Sequence, residues 1–200
     1  EELYPDIEKY IERAKNAGVT HFLVVGWNLE SSYLAINIAN THENVYAAIG
    51  VHPYDIDGVN DSDLEQLFSN FSNPKVVALG EIGLDYHWVK DQEQRNKQKE
   101  YFIKQIKFAN KYHKPISVHN RDAFCDCLEI LKNNKPISGG VMHCYAGSVE
   151  SLPQVFECGL IIALGGPLTF TNAKTPKEVC AAVDLNKLVL ETDCPYLSPH

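Results

Sequence analysis

The sequence lacks an excess of positive charge. Its 26 acidic residues outnumber its 18 lysines and arginines, and the formal net charge is −8 at pH 7. This balance argues against a broad basic surface of the kind that attracts nucleic acid through its phosphates. It is still compatible with a local phosphate site, above all one in which metal ions supply the positive charge.

Long apolar runs and targeting features are also missing. No stretch approaches the roughly 20 apolar residues that a membrane-spanning helix needs, and the opening residues have neither the basic start nor the apolar segment of a signal peptide. The 6 cysteines come without a secretory feature, so we expect reduced thiols and a cytoplasmic protein, or a nuclear one in a eukaryote. Cys125 and Cys127 are two residues apart in a helical segment and do not form a zinc pair.

No Gly-x-Gly-x-x-Gly pattern follows the first predicted strand, so a dinucleotide-binding fold has no positive support. Instead, apolar strands alternate regularly with amphipathic helices, and no linker interrupts them. The predicted strands are His21–Gly26, Val45–Val51, Lys75–Glu81, Pro115–His119, Gly140–Cys144, Leu160–Gly165 and Leu188–Asp193. This alternation predicts a (β/α)8 TIM barrel in the α/β class, with residues 1–200 forming a single domain.

The predicted helices have apolar faces and recognisable starts. The first one carries Leu3, Ile7, Tyr10 and Ile11 on one face. The expected caps or opening residues of the later helices are Ser31 or Ser32, Asp61, Asp91, Asp122, Ser148 and Thr175.

The third predicted strand leads directly into a chemically informative turn. Val76–Leu79 is a continuous apolar run, as expected of a strand buried on both faces of a parallel sheet. Gly80 and Gly83 then flank Glu81, and they allow a sharp turn and the close approach of a ligand. Because α/β folds bind ligands at the carboxyl ends of their strands, Glu81 is predicted to lie in a tight loop at a binding site.

Several other predicted strands also end on a residue that can bind a metal ion. The ligand candidates are Glu81, His119, His143 and Asp193, and His52 ends a further strand. In a barrel these ends converge on one mouth. Histidine and carboxylate together suit Zn, Mn or a similar divalent ion. A carboxylate can bridge two ions, and two ions can clamp the attacking and leaving oxygens of a phosphodiester.

Arg121 follows His119 by two residues and is predicted to lie at the same mouth. Its guanidinium can hold a phosphate through two parallel hydrogen bonds. It cannot be a metal ligand because it stays protonated. A surface salt bridge is the alternative interpretation of this residue.

Five motifs that contain these candidates resemble the motifs of a known protein family. They are Gly50-Val51-His52-Pro53, Gly80-Glu81-Ile82-Gly83-Leu84-Asp85-Tyr86, Val118-His119-Asn120-Arg121, Met142-His143-Cys144-Tyr145-Ala146-Gly147 and Glu191-Thr192-Asp193-Cys194-Pro195-Tyr196-Leu197. With these motifs in this order, almost the whole chain resembles the TatD family of metal-dependent deoxyribonucleases.

The resemblance implies an amidohydrolase-type TIM barrel that hydrolyses phosphodiester bonds of DNA, as an exonuclease on single strands or 3' ends. From the lack of long apolar runs we expect no membrane partner. It implies two divalent metal ions, such as Zn, Mn or Mg. The implied roles are catalytic carboxylate for Glu81 and Asp193, metal ligand for Glu81 (as the bridge), His119, His143 and Asp193, and substrate phosphate binding for His52 and Arg121.

The family pattern also includes two parts that these residues do not contain. It opens with a His-x-His dyad on a first strand, and it continues beyond the Pro-Tyr-Leu-Ser-Pro motif. We therefore expect the domain to be incomplete at both ends, with a strand before Glu1 and a helix after His200 in the family's fold. We also expect lower activity from this polypeptide than from one with the first strand restored, since the dyad would complete a metal position.

Two other classes of function remain open at this point, because a barrel does not determine its substrate. One is a different hydrolase on the same scaffold, such as a deaminase, a cyclic amidase or an aminoacyl-tRNA deacylase. No lysine stands at a predicted strand end to form a carbamylated bridge, which weakens the cyclic-amidase version. The other is a non-catalytic remnant that binds nucleic acid, although a retained set of four ligands favours an enzyme.

Overall fold

A computed structural model describes residues 4–200, and Leu3 of the predicted first helix lies outside them. Seven parallel strands form one sheet in which each strand pairs with the next in sequence. The strands are β1 (Phe22–Val25), β2 (Val45–Ile49), β3 (Val76–Asp85), β4 (Ile116–Arg121), β5 (Gly140–Met142), β6 (Leu160–Leu164) and β7 (Leu188–Leu190). The predicted α/β fold of TIM-barrel type is confirmed in these seven strands.

In residues 4–200 one α-helix precedes β1, and six further α-helices each connect one strand to the next. They are α1 (Ile7–Asn16), α2 (Leu29–Thr41), α3 (Asp61–Phe68), α4 (Gln92–Lys111), α5 (Phe124–Asn133), α6 (Leu152–Glu157) and α7 (Lys174–Ala182). Short 3-10 turns occupy Tyr4–Asp6, Ser69–Ser72, Val149–Ser151, Gly166–Thr169 and Leu185–Lys187. No helix in this part of the chain is long and apolar enough to cross a bilayer.

The core lies between the sheet and its helices. Leu67 and Phe68 of α3 and Phe102 and Ile106 of α4 are almost completely buried. Burial of each such side chain contributes about 1.5–3 kcal/mol. This core leaves the carboxyl ends of the central strands at one rim, where the polar candidates lie.

Three helix starts differ from the sequence prediction. The cap of α2 is Asn28, whose side chain accepts a hydrogen bond from the Ser31 backbone, while the Ser31 hydroxyl accepts one from the Asn28 backbone. Ser31 is thus the inner member of a capping box. The helix predicted at Asp122 begins only at Phe124, because Asp122 has a positive φ of 55°. The last helix begins at Lys174 rather than at a Thr175 cap.

The predicted end of the third strand at Glu81 is wrong. β3 continues to Asp85, and residues Ile82 to Asp85 pair with residues Val118 to Arg121 of β4. A register shift between Leu79 and Ile82 places one extra residue in β3. Such a bulge bends the strand and re-aims a side chain, so Glu81 projects from inside a continuing strand instead of from a loop.

Gly83 makes this extension sterically feasible. A Cβ atom at this position would lie 1.9 Å from the backbone oxygen of His119. The φ of Gly83 is 148°, in a region that residues with a side chain disfavour.

The last strand is shorter than predicted, whereas β3 is longer. The predicted strand ended at Asp193, but β7 ends at Leu190, and Glu191 to Asp193 lie beyond it.

Replacement of Gly83 by Ala should destabilise the protein by about 3 kcal/mol or more, because the new methyl group meets backbone atoms of β4 that cannot move aside. Gly58→Ala is the matched control. Gly58 also has a positive φ of 79°, but nothing lies within 4 Å of its Cβ position, and its cost should stay near 1 kcal/mol. The free energy of unfolding of both variants is measured by urea denaturation, monitored by circular dichroism. Equal losses of stability would contradict the close approach of Gly83 to β4.

Candidate metal centre

Glu81 is the meeting point of two histidines from neighbouring strands. Its Oε1 lies 2.9 Å from Nδ1 of His119, which belongs to β4. The same oxygen lies 3.7 Å from Nε2 of His143, which follows β5 directly. One carboxylate therefore faces imidazoles from two strands at the carboxyl rim of the sheet, as a shared metal position requires.

Asp193 reaches the same cluster from the segment that follows the last strand. Its Oδ1 lies 3.6 Å from Nε2 of His143. Its side chain is 44% exposed, and it is more accessible to water than that of Glu81. The structure therefore brings together all four residues that the sequence analysis named as ligand candidates.

A second carboxylate holds the far side of His119. Oδ2 of Asp85 lies 2.9 Å from Nε2 of His119, and the Asp85 side chain is only 2% exposed. The Tyr54 hydroxyl and the His87 backbone N–H both donate to Oδ1 of Asp85. With Nε2 engaged by Asp85, Nδ1 of His119 is fixed toward Glu81, which is the arrangement of an outer carboxylate that orients a metal-binding histidine.

His143 is oriented in the same way by Glu191. The Oε2 of Glu191 lies 2.7 Å from Nδ1 of His143. Oε1 of Glu191 accepts a 2.6 Å hydrogen bond from the backbone N–H of Cys144. Glu191 thus fixes both the ring and the backbone that carries it, and it leaves Nε2 of His143 directed at Glu81 and Asp193.

His52 lies against this cluster with its ring edge to face on His119, at a centroid separation of 4.4 Å. Ligand atoms of His52, Glu81 and His119 lie within 4.8 Å of one another and could hold a metal ion together. The Tyr54 backbone N–H donates to Nδ1 of His52 over 3.2 Å. This hydrogen bond assigns the proton of a neutral His52 to Nε2.

The pKa values in the cluster follow from this packing. Burial alone would raise the pKa of Glu81, but its hydrogen bond with His119 and the nearby imidazoles lower it to about 2. Burial would likewise lower the pKa of His119, yet the hydrogen bonds with Asp85 and Glu81 raise it to about 9. Burial and the adjacent His119 lower the pKa of His52 to about 4. The opposite shifts of Glu81 and His119 have one cause, which is the attraction between the carboxylates and the imidazoles of the cluster.

The chemistry of the donor set fits divalent metal ions. Four carboxylates face this cluster. In residues 4–200 the ion pairs of these carboxylates are formed with imidazoles alone. The carboxylates are Glu81, Asp85, Glu191 and Asp193. Nitrogen and carboxylate donors at one rim are the ligands that Zn and Mn take in proteins. Glu81, His119, His143 and Asp193 could hold such ions directly, with Asp85 and Glu191 behind the histidines.

Arg121 lies at the end of β4 and does not enter the cluster. Within residues 4–200 its guanidinium forms no salt bridge, so the alternative interpretation of Arg121 as half of a surface ion pair has no support there. Arg121 lines a cavity of about 540 Å³ that opens beside the mouth, together with Tyr86, Phe124 and Gly147. An unpaired guanidinium at such an opening can bind an anion.

Sequence reasoning missed the roles of Asp85, Glu191 and Tyr54. Asp85 and Glu191 are acidic residues in two of the five motifs, but neither was assigned a contact. The available signal was position, because each lies at or just beyond a strand end. Their histidine partners are 34 and 48 residues away in the chain, so the pairing itself was invisible.

Residues 1–200 match the family described as TatD related DNase. The chain belongs to this family. It is 42% identical over 196 residues to the uncharacterized metal-dependent hydrolase YabD of Bacillus subtilis, covering 98% of this chain and 76% of that protein. It is 32% identical over 197 residues to a Klebsiella pneumoniae protein named 3'-5' ssDNA/RNA exonuclease TatD, covering 98% of this chain and 74% of that protein.

Solved structures of TatD homologues share the fold. The Escherichia coli homologue YjjV superposes with a TM-score of 0.89 at 32% identity, covering 98% of this chain and 76% of that one. A TatD family hydrolase of Entamoeba histolytica gives a TM-score of 0.80 at 29% identity, covering 96% of this chain and 66% of that one. The predicted resemblance to the TatD family is thus confirmed.

Asp85→Asn should weaken binding of Mn²⁺ or Zn²⁺ by about 10- to 100-fold and leave the fold intact, because His119 loses the carboxylate that orients it. Isothermal titration calorimetry measures the affinity. Asp126→Asn is the matched control, since Asp126 pairs with Lys99 and the Tyr86 hydroxyl away from the cluster. Unchanged metal affinity in folded Asp85→Asn protein would show that Asp85 does not orient a ligand.

Proposed function

We propose that this chain is a divalent-metal-dependent hydrolase of phosphodiester bonds in DNA, acting on single strands or 3' ends, and that residues 1–200 work as one domain. The observation that carries the proposal is the placement of Glu81 between His119 and His143 at the carboxyl rim. Membership of the TatD related DNase family supports it, as does the relative named as a ssDNA/RNA exonuclease.

Two divalent ions, such as Zn, Mn or Mg, would be held by Glu81, His119, His143 and Asp193. When bound, such ions supply Lewis-acid stabilisation of phosphate charge and lower the pKa of water. Glu81 is the carboxylate that can be shared between two positions, since its Oε1 faces both histidines. Asp85 and Glu191 keep the two imidazoles in orientation and do not touch substrate.

Asp193 is the carboxylate placed to handle protons. Burial raises the pKa of Asp193, which makes it a better base than an ordinary aspartate. Its side chain is nonetheless accessible to water. We therefore assign to Asp193, besides a part in holding a metal ion, the acceptance of a proton from the attacking water and its return to the leaving oxygen as the P–O bond breaks.

His52 and Arg121 are assigned to the substrate phosphate. His52 is uncharged near pH 7, and its Nδ1 already accepts from the Tyr54 backbone, so its Nε2–H can donate to a phosphate oxygen. Arg121 supplies the charge that His52 lacks, through two N–H groups in a fork. Together they position the phosphodiester at the rim rather than at a broad basic surface.

Glu81→Gln should lower the turnover of labelled single-stranded DNA by at least about 100-fold with the fold retained, because the shape stays while the charge that metal ions require is lost. Glu65→Gln on α3, an exposed glutamate, is the control and should remain at the level of the unmodified protein. Assays run after chelation and after addition of Mn²⁺ establish the metal requirement. Turnover close to normal in folded Glu81→Gln protein would exclude Glu81 as the shared ligand.

Arg121→Ala should raise KM for single-stranded DNA by about tenfold, which is the loss of one charge-assisted phosphate contact. Metal content, measured by plasma mass spectrometry, should stay constant. Arg13→Ala removes a surface arginine of α1 and serves as the control for net charge. Loss of metal from the Arg121→Ala protein would show that Arg121 supports the metal centre instead of the substrate.

A further inference from the structure

Two exposed aromatic side chains stand on consecutive loops next to the candidate centre. Tyr54 follows β2 and Trp88 follows β3, and their exposed fractions are 40% and 73%. Other exposed apolar side chains, such as Leu23 and Leu190, lie on the outer strands of the sheet. Tyr54 and Trp88 instead follow the inner strands β2 and β3. Their exposure is therefore not explained by a position at the edge of the sheet.

The loop that carries Trp88 is held firmly although its indole is exposed. The Trp88 backbone N–H donates to the Tyr54 hydroxyl over 3.3 Å. The ring of His87 packs edge to face on the indole at 4.4 Å, and Nδ1 of His87 lies 2.9 Å from Asp122. Nζ of Lys90 donates to the His87 carbonyl. An exposed indole on an anchored loop loses little conformational freedom when a ligand binds to it.

This aromatic surface is continuous with the catalytic rim. The Tyr54 hydroxyl donates to Asp85, the residue that orients His119. The ring of Tyr54 also lies 5.5 Å from the ring of His52, the proposed phosphate contact. A group bound on Tyr54 or Trp88 would therefore be a neighbour of the phosphate at His52.

We propose that Tyr54 and Trp88 form a stacking platform for an unpaired nucleobase of the strand whose phosphodiester lies at the centre. The proposal rests on the function proposed above and names how the same site grips its substrate. Base stacking on aromatic rings does not depend on charge or on sequence. It suits a protein of net charge −8, which gains little from contact with many phosphates.

The platform also selects for single strands. Inside a duplex both faces of each base are covered by neighbouring bases, and pairing holds the last base in place with one free face. An unpaired base can leave its stack and lie on an indole or a phenol. The platform therefore gives the site its preference for a single-stranded end, without any contact that reads base identity.

The test compares a short oligothymidylate with an abasic strand of the same length and phosphate number. Fluorescence anisotropy of labelled strands gives the affinities. We expect oligothymidylate to bind the unmodified protein more tightly than the abasic strand. Trp88→Ala and Tyr54→Ala should each weaken oligothymidylate binding by about fivefold to tenfold and leave abasic binding unchanged.

Two further variants separate stacking from structure. Tyr54→Phe keeps the ring and removes the hydroxyl, with its hydrogen bonds to Asp85 and to the Trp88 backbone N–H. It should retain the preference for the strand with bases. Leu185→Ala removes a side chain that is 86% exposed at the opposite end of the sheet, and it should change nothing. Quenching of Trp88 by oligothymidylate, in protein in which Trp27 is replaced by Phe, reports the contact directly.

Equal affinity of the unmodified protein for both strands, or an unchanged preference in Trp88→Ala and Tyr54→Ala, would overturn the platform. Hydrolysis of the same two strands in Mn²⁺ tests the proposed function separately. If both strands bind with equal affinity and both are hydrolysed, the proposed nuclease function is supported and the stacking platform is excluded. If the strand with bases binds more tightly but neither strand is hydrolysed, the stacking platform is supported and the proposed nuclease function is excluded.

Discussion

The imidazole of His119, fixed between the carboxylates of Glu81 and Asp85, is the contact on which the rest of the rim depends. Both carboxylates come from β3, and the ring comes from β4, so the two strands must stay paired as far as Asp85 and Arg121. The bulge directs Glu81 to one nitrogen, and the close approach at Gly83 brings Asp85 to the other. Tyr54 and His87 then donate to Asp85 and fix the neighbouring loops.

The electrostatics of the molecule are local rather than global. A chain of net charge −8 gathers four carboxylates around three imidazoles at one rim, and a divalent cation is the natural counterpart of such a cluster. The proposed substrate contacts are His52 within the cluster, and Arg121, Tyr54 and Trp88 outside it. In the proposed function, this division lets an acidic protein handle an acidic polymer without a basic face.

Much of the fold and of the centre could be predicted from the sequence. Buried apolar runs gave the seven strands, and the His and acidic residues near the strand ends gave the cluster of Glu81, His119 and His143. The extension of β3 could not be predicted, because Gly83 looked like a turn signal and only the packing of β4 shows it as a close approach. Asp85 and Glu191 were missed since their bonds to histidines depend on contacts between distant segments.

The extra residue in β3 has a consequence for how insertions and deletions act in such chains. Removal of the one residue between Gly80 and Ile82, which is Glu81, would restore a regular ladder with β4. The same removal would take away the carboxylate that faces both His119 and His143. The number of residues between Leu79 and Ile82 thus matters to the proposed activity but hardly to folding. A relative with a one-residue gap there would keep the fold and lose the carboxylate on which the proposed chemistry depends.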